Sequence, residues 1–415
     1  MIATLFPKGS RRYLSLPIFG PVIDDFSDWL EQEGYTRRSR RFTIRTIAWM
    51  DAHLRRRQIK RLQELTPAAL HDCWKALHRR SPPAAGTVHV MERFLTKRGL
   101  LKPLPRQAST TTEIQLQRYS EYLRDVRGVS RSTIHNHLYT AAGFLAHVGF
   151  DHEPHSLSEI DADDLESFVR KVSKGLTRGT IQHIVATLRG FLRFLATAGQ
   201  VTPGLDSQID TPRLYRQEQL PRALPWETVQ AFLQSIPRHH PKGRRDHAIF
   251  FLMATYGLRA SEIVALTLDH IHWKEGLIRI PQTKTRQMLE LPLTNEAANV
   301  LIEYLRKVPR PTGYRHLFLR MRAPVGTLKP TAVGDAFQLW SKHSGLDLPC
   351  QGAHCLRHSY AVHLLRQGTS LKAIGDLLGH RDAESTSAYL RLATEDLRGV
   401  GLCMPRPSSR TEVRS

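Results

Sequence analysis

Apolar positions recur every three to four residues along most of this chain. The recurrence breaks into short alternating runs only between residues 268 and 293. In the first half the helical pattern occurs twice. Phe26-Ser27-Asp28-Trp29-Leu30 matches Tyr119-Ser120-Glu121-Tyr122-Leu123 in type at every position. Each is followed by a glycine and a turn-and-cap run, Gly34-Tyr35-Thr36 in one and Gly128-Val129-Ser130 in the other. The next helices end in Ala52-His53-Leu54 and Ala146-His147-Val148; then Thr66 and Asp161 open amphipathic helices, and Gly99 and Gly199 close the runs. The offset between matching landmarks drifts only from 93 to 100. This predicts two four-helix units of one plan, over about residues 26–103 and 119–203.

Residues 204–225, with Pro212, Pro221 and Pro225, read as an inter-domain linker. Helices are expected over 226–236 and 246–255, the second apolar enough for a domain core. Ile271-His272-Trp273, Leu277 to Pro281 and Met288 to Leu293 read as short strands of a small antiparallel sheet. Helices return over 294–304, 331–344, 355–367 and 370–379, and the Pro/Ser/Arg-rich end from Met404 is expected to be disordered. The fold class that follows is multidomain and mainly α. Two tandem helical domains, 1–105 and 106–215, precede a mixed α+β domain, 216–400, and a flexible tail, 401–415.

The 415 residues hold material for two or three cored domains, and 41% hydrophobic residues is ordinary for a globular protein. The net charge of +22 is not ordinary and points to a polyanionic partner, DNA or RNA. Residues 1–105 carry 20 Lys and Arg against 9 Asp and Glu, residues 106–215 carry 12 against 12, and the remainder carries 28 against 17. Two basic lobes thus flank a neutral middle. No apolar stretch approaches membrane-spanning length, and Met1 to Phe6 offers no signal sequence, so a soluble intracellular protein is expected. The four cysteines are scattered without a C-x-x-C pair, which fits reduced cytosolic thiols better than a metal site. Without a P-loop, an acidic metal triad or a Ser/His/Asp arrangement, no cofactor is expected.

The candidate chemistry lies late in the chain. His354-Cys355-Leu356-Arg357-His358 is followed by Leu377-Leu378-Gly379-His380 and then by Tyr389; upstream stands Tyr256-Gly257-Leu258-Arg259-Ala260-Ser261-Glu262. Arginines and histidines can neutralise a phosphodiester, and a tyrosine hydroxyl can attack it. Arginine forks onto two phosphate oxygens where lysine cannot. Taken singly, His358 and Ser359 read as helix-packing or capping residues, Tyr256 and Tyr360 as core aromatics, and Glu262 as a partner of Arg259. Arg238 to Arg245 reads equally as a phosphate-backbone contact or a solvated loop.

In these strings and their spacing the chain resembles the tyrosine recombinase (phage integrase) family. The first arginine lies in a T/Y-G-L-R-x-S-E pattern, the second in H-x-L-R-H, and the tyrosine comes nine residues after the histidine of L-L-G-H. The resemblance covers about residues 106–398 and implies a catalytic set of Arg259, Lys284, His354, Arg357, His380 and Tyr389, with Lys284 in a β-turn. It implies that 106–215 is a SAM-like core-binding domain and 216–400 the catalytic domain; residues 1–105 lie outside it and, on their charge, are expected to form an extra DNA-binding or assembly domain. It further implies a mobile-element integrase or transposase that cleaves and rejoins DNA through a 3′-phosphotyrosyl link without metal or ATP. The implied partners are double-stranded recombination sites and a tetramer of the chain itself, with accessory recombinases or DNA-bending proteins beside them. The implied location is the cytoplasm, at the nucleoid when DNA-bound. Two other classes stay open: a type IB topoisomerase-like enzyme, and a DNA-binding regulator that kept the fold without activity.

Overall fold

Caps and left-handed glycines punctuate the helical half at the positions the sequence marks. The computed structural model describes residues 1–101, 110–152, 157–213, 222–282, 287–311, 313–350, 352–379, 386–387 and 389–390. They form two compact units, one made of residues 1–65, 69–100 and the chain from 219, the other of 66–68 and 101–218.

In the first unit, α1 (Ile2–Leu5) and α2 (Ser10–Leu14) precede α3 (Ile23–Gln32), α4 (Arg37–Arg56), α5 (Pro67–Arg80) and α6 (Pro82–Lys97). The two short leading helices were not expected. Thr36 caps α4 by accepting from the Ser39 N–H at 3.2 Å, an interaction usually worth about 1 kcal/mol. Ile23, Phe26, Leu30, Ile44, Ile47, Met50, Leu54 and Phe94 are fully or almost fully buried and form the interior of this bundle.

The second unit repeats the plan with α7 (Thr111–Glu121), α8 (Arg131–His147), α9 (Ala162–Val172) and α10 (Arg178–Thr197). Ser130 caps α8 and Asp161 caps α9, accepting from Thr133 at 3.3 Å and Asp164 at 3.0 Å. The matched glycines share the left-handed conformation, φ 83° and 58° at Gly34 and Gly128, 67° and 68° at Gly99 and Gly199. Phe26 and Tyr119, the paired aromatics of the repeat, are both wholly buried. Part of the expected linker is structural: Leu205 and Ile209 pack into the second unit's core.

Returning to the first unit, α11 (Trp226–Ser235), the buried α12 (Pro241–Tyr256) and α13 (Ala260–Ala265) lead to β1 (Ile271–His272), β2 (Leu277–Gln282) and β3 (Gln287–Pro292). The strands form one antiparallel sheet in the order β1-β2-β3, with Ile278 opposite Leu291. α14 (Asn295–Lys307), α15 (Pro330–Ser344), α16 (His354–Arg366) and α17 (Leu371–Leu378) follow. Leu224, from the far end of the expected linker, is buried in this core and donates its N–H to Ser359 Oγ at 2.8 Å. Residues 33 and 325 join the first bundle to this region: the Val325 N–H donates to the Glu33 carbonyl at 3.1 Å.

The basic run Arg238–Arg245 is not a solvated loop along its length. Arg245 is buried against Asp246, donates to the Leu319 carbonyl at 3.0 Å, and shares Asp246 with the Trp340 indole N–H. His240 caps α12, accepting from Gly243 at 2.8 Å, and Arg238 and Arg244 face Glu303 at 4.0 and 3.5 Å. A buried guanidinium costs heavily unless its charge is paired, and the carboxylate next in sequence supplies that pairing. Among the described residues no helix is long and apolar enough to cross a membrane. The tail 401–415 lies outside the described residues.

Candidate active site

Three sequence boxes converge because glycine and arginine lock them together. α12 stops at Tyr256, and Gly257 turns the chain with φ 63°. A side chain at Gly257 would run into Leu378 and stand 2.8 Å from the Tyr360 ring, so only hydrogen permits this approach. The turn delivers Arg259 to the start of α13. There the buried Glu262 accepts from the Arg259 N–H at 2.8 Å and from its Nη1 at 2.6 Å. Glu262 therefore aims Arg259, as its sequence position suggests.

Arg357, on the first turn of α16, is 2% exposed. Its Nη1 donates to the Gly257 carbonyl at 2.6 Å and its Nη2 to the Leu378 carbonyl at 2.7 Å, which ties all three boxes to one side chain. Its Nη1 also lies 3.9 Å from Glu262. A guanidinium carries five N–H donors, so each terminal nitrogen keeps one proton for another acceptor. Two of those protons hold the site together. Burial, and then the nearby Arg259 charge, bring its pKa down to about 10, which leaves it cationic at neutral pH.

Tyr389 is 3% exposed and packs on Ala361, Val362, Ile374 and Leu378. Burial raises its pKa, against the pull of the Arg357 and Arg259 charges. Its Oη lies 3.1 Å from Nδ1 of His358. His358 packs, as the sequence suggested, on His354 and Tyr389, and its Nδ1 also meets the Tyr389 hydroxyl. The signal was available, because His354 and His358 are one helical turn apart and share a face. Their rings meet edge to face with centroids 4.6 Å apart. His354 stands open to solvent at the helix start; the desolvation it does undergo, then the Arg357 and Arg259 charges, lower its pKa below 6.5.

Lys284 and His380 lie outside the described residues. Their described neighbours do meet: a Cβ at Gly379 (φ 62°) would fall on the Gln282 side chain, so the end of β2 lies against the end of α17. Tyr256, read as a core aromatic, is one; its hydroxyl donates to the Pro292 carbonyl at 3.0 Å and accepts from the Thr294 N–H. Arg259, Arg357, one buried carboxylate and two imidazoles make a site of net positive charge around a buried hydroxyl, suited to a phosphodiester. Among the described residues there is no cluster of His, Cys, Asp and Glu that could hold a metal ion.

Gly257→Ala is expected to cost about 1–3 kcal/mol, since it puts a β-carbon in left-handed backbone and against Leu378. A lowered melting temperature together with a fall in DNA cleavage is the expected result. An unchanged melting temperature would show that the boxes are not locked through this turn.

Residues 222–396 match the phage integrase family, and residues 116–199 match the N-terminal SAM-like domain of phage integrases. An integrase/recombinase of Sinorhizobium fredii strain NGR234 is 32% identical over 94% of this chain and 97% of its own length. The tyrosine recombinase XerD of Listeria monocytogenes is 28% identical, covering 69% of this chain and 96% of its own. Among solved structures, a lambda integrase dimer bound to a COC′ core site superposes with a TM-score of 0.53 at 19% identity, over 66% of this chain and 94% of that one. A lambda integrase tetramer on a Holliday junction gives a TM-score of 0.51 at 17% identity, over 71% and 87%.

Proposed function

The chain belongs to the phage integrase family of tyrosine recombinases, and from that premise we propose that it is a site-specific DNA recombinase whose nucleophile is Tyr389. The observation that carries this reading is the contact of the Tyr389 hydroxyl with His358 beside the Arg357 guanidinium. The Tyr389 oxygen attacks the scissile phosphorus and its proton passes to His358. The bond from phosphorus to the 5′ oxygen breaks, and Lys284 supplies the proton that oxygen takes. The product is a 3′-phosphotyrosyl link. A 5′-hydroxyl of a second duplex then attacks the link and gives its proton to Lys284, while the Tyr389 oxygen leaves with its electron pair and takes its proton back from His358, so the number of phosphoester bonds is conserved. Arg259 and Arg357 meet the charge that builds on the phosphorane, with His380 as a third donor. Four protomers on two duplexes complete the exchange, in line with the tetrameric lambda integrase on its junction. A transposon integrase, that of Tn1549, is among its structural neighbours, which supports a mobile-element role.

His354, whose ring meets that of His358, passes the proton on and sets the acid side of the pH profile. His354 is held below 6.5 and so stays neutral where a free imidazole would already be half charged. Single-turnover cleavage should therefore keep its rate as pH falls through 6.5 and lose it only below that value. His358→Gln should slow cleavage about 10²–10⁴-fold with DNA binding retained. An acid limb centred at or above 6.5 would remove His354 from the proton path, and a normal rate in the Gln variant would do the same for His358.

A further inference from the structure

The first helical bundle lies outside the two stretches matched to the family, yet it holds half of the chain's surplus charge. Its longest helix, α4, shows where that charge goes. At 3.6 residues per turn, Arg37, Arg38, Arg41, Arg45, Arg55 and Arg56 fall within about 100° of arc. The opposite side, with Thr43, Ile44, Ile47, Met50 and Leu54, is buried. The one acid of α4, Asp51, is wholly buried; it accepts from the Ile18 and Phe19 N–H groups and from Arg55. No carboxylate of α4 therefore interrupts the stripe. Arg55 has that internal partner, whereas among the described residues Arg38, Arg41, Arg45 and Arg56 form no ion pair.

The stripe is also ordered. Arg41 and Arg45 lie over the Phe6 ring at 5.1 and 6.0 Å, and Arg37 reaches the Thr4 carbonyl, so α1 and its following turn hold the guanidiniums in place. Its 20 residues span about 30 Å at 1.5 Å each, close to one turn of duplex DNA. The matching helix of the second unit, α8, has a single arginine, Arg131. The two copies share a plan and differ in this charge.

We propose that the outward face of α4 is a second DNA-binding surface, which tracks the phosphate backbone of a duplex segment without reading its sequence. This rests on the chain being a DNA recombinase, and the test separates the two claims. Bind the full-length protein to a random-sequence duplex across a salt series. Compare wild type with Arg38→Gln/Arg45→Gln/Arg56→Gln, and with Arg79→Gln/Arg80→Gln/Arg98→Gln, which removes equal charge from exposed positions off α4. Each lost phosphate contact flattens the slope of log affinity against log salt by about 0.9, so up to about 2.7 is expected for the α4 variant and none for the other. Equal slopes in all three proteins, or equal flattening in both variants, would overturn the proposal. A third variant, Arg38→Lys/Arg45→Lys/Arg56→Lys, keeps charge and should keep the wild-type slope; should the Gln variant fail to fold, a flattened slope here overturns the proposal. No binding by wild type would instead sink the recombinase reading.

Discussion

Tyr389→Phe should form no covalent adduct with a nicked suicide duplex carrying the recombination site, while it binds that duplex as wild type does. The substitution removes one oxygen. The ring stays packed on Ala361, Val362, Ile374 and Leu378, and the hydroxyl's contacts to His358 and Arg357 are lost, at a cost to stability of about 1 kcal/mol each. Without the hydroxyl, Arg357 is still held by the Gly257 and Leu378 carbonyls and Arg259 by Glu262. The measurement is the shifted protein band on a denaturing gel beside a native binding titration. An adduct persisting in the Phe variant would pass the role to another tyrosine. Tyr360 is first in line, although it packs against Gly257 at the back of the same turn.

Arg259→Lys and Arg357→Lys should each slow single-turnover cleavage by about 10²–10³-fold, the usual loss of about 3–4 kcal/mol when one transition-state donor is removed. Charge is preserved in both, so the loss reports geometry: an ammonium cannot span two phosphate oxygens. The two variants should differ in stability. The Arg259 side chain is 21% exposed and pairs with one carboxylate, so Arg259→Lys should melt near wild type. Arg357 is buried and bridges two carbonyls on different elements. A lysine there leaves a buried acceptor unpaired, which costs about 1–3 kcal/mol, so its melting temperature should fall too. Cleavage near the wild-type rate in either variant would show that positive charge alone suffices. Equal melting temperatures would contradict the bridging role of Arg357.

Much of this fold is legible in the sequence because local chemistry and tertiary structure agree. Ser130 and Asp161 cap helices, Gly34, Gly99, Gly128 and Gly199 are left-handed, and the hairpin of β2 and β3 follows its alternation. What the sequence hid is long-range. That Arg357 spends two protons on Gly257 and Leu378 depends on carbonyls 100 and 21 residues away. That Arg245 is buried depends on Asp246 being satisfied also by Trp340, 94 residues on. A run of basic residues looks the same in sequence whether it faces water or a buried carboxylate. His358 was discounted for a different reason: a histidine in a helix next to a known box has an ordinary packing explanation, and only the docking of Tyr389 on that face adds the hydroxyl contact. Gly379 stands where a β-carbon has no room beside Gln282 at the end of β2.

The central claim is that the Tyr389 oxygen itself takes the phosphate. Trapping wild-type protein on a suicide duplex, digesting the complex and sequencing the nucleotide-bearing peptide by mass spectrometry tests this directly. The modification should fall on Tyr389 alone, linked through a 3′-phosphate. A nucleotide on any other residue, or a 5′-phosphate linkage at Tyr389, would contradict the mechanism derived from this site.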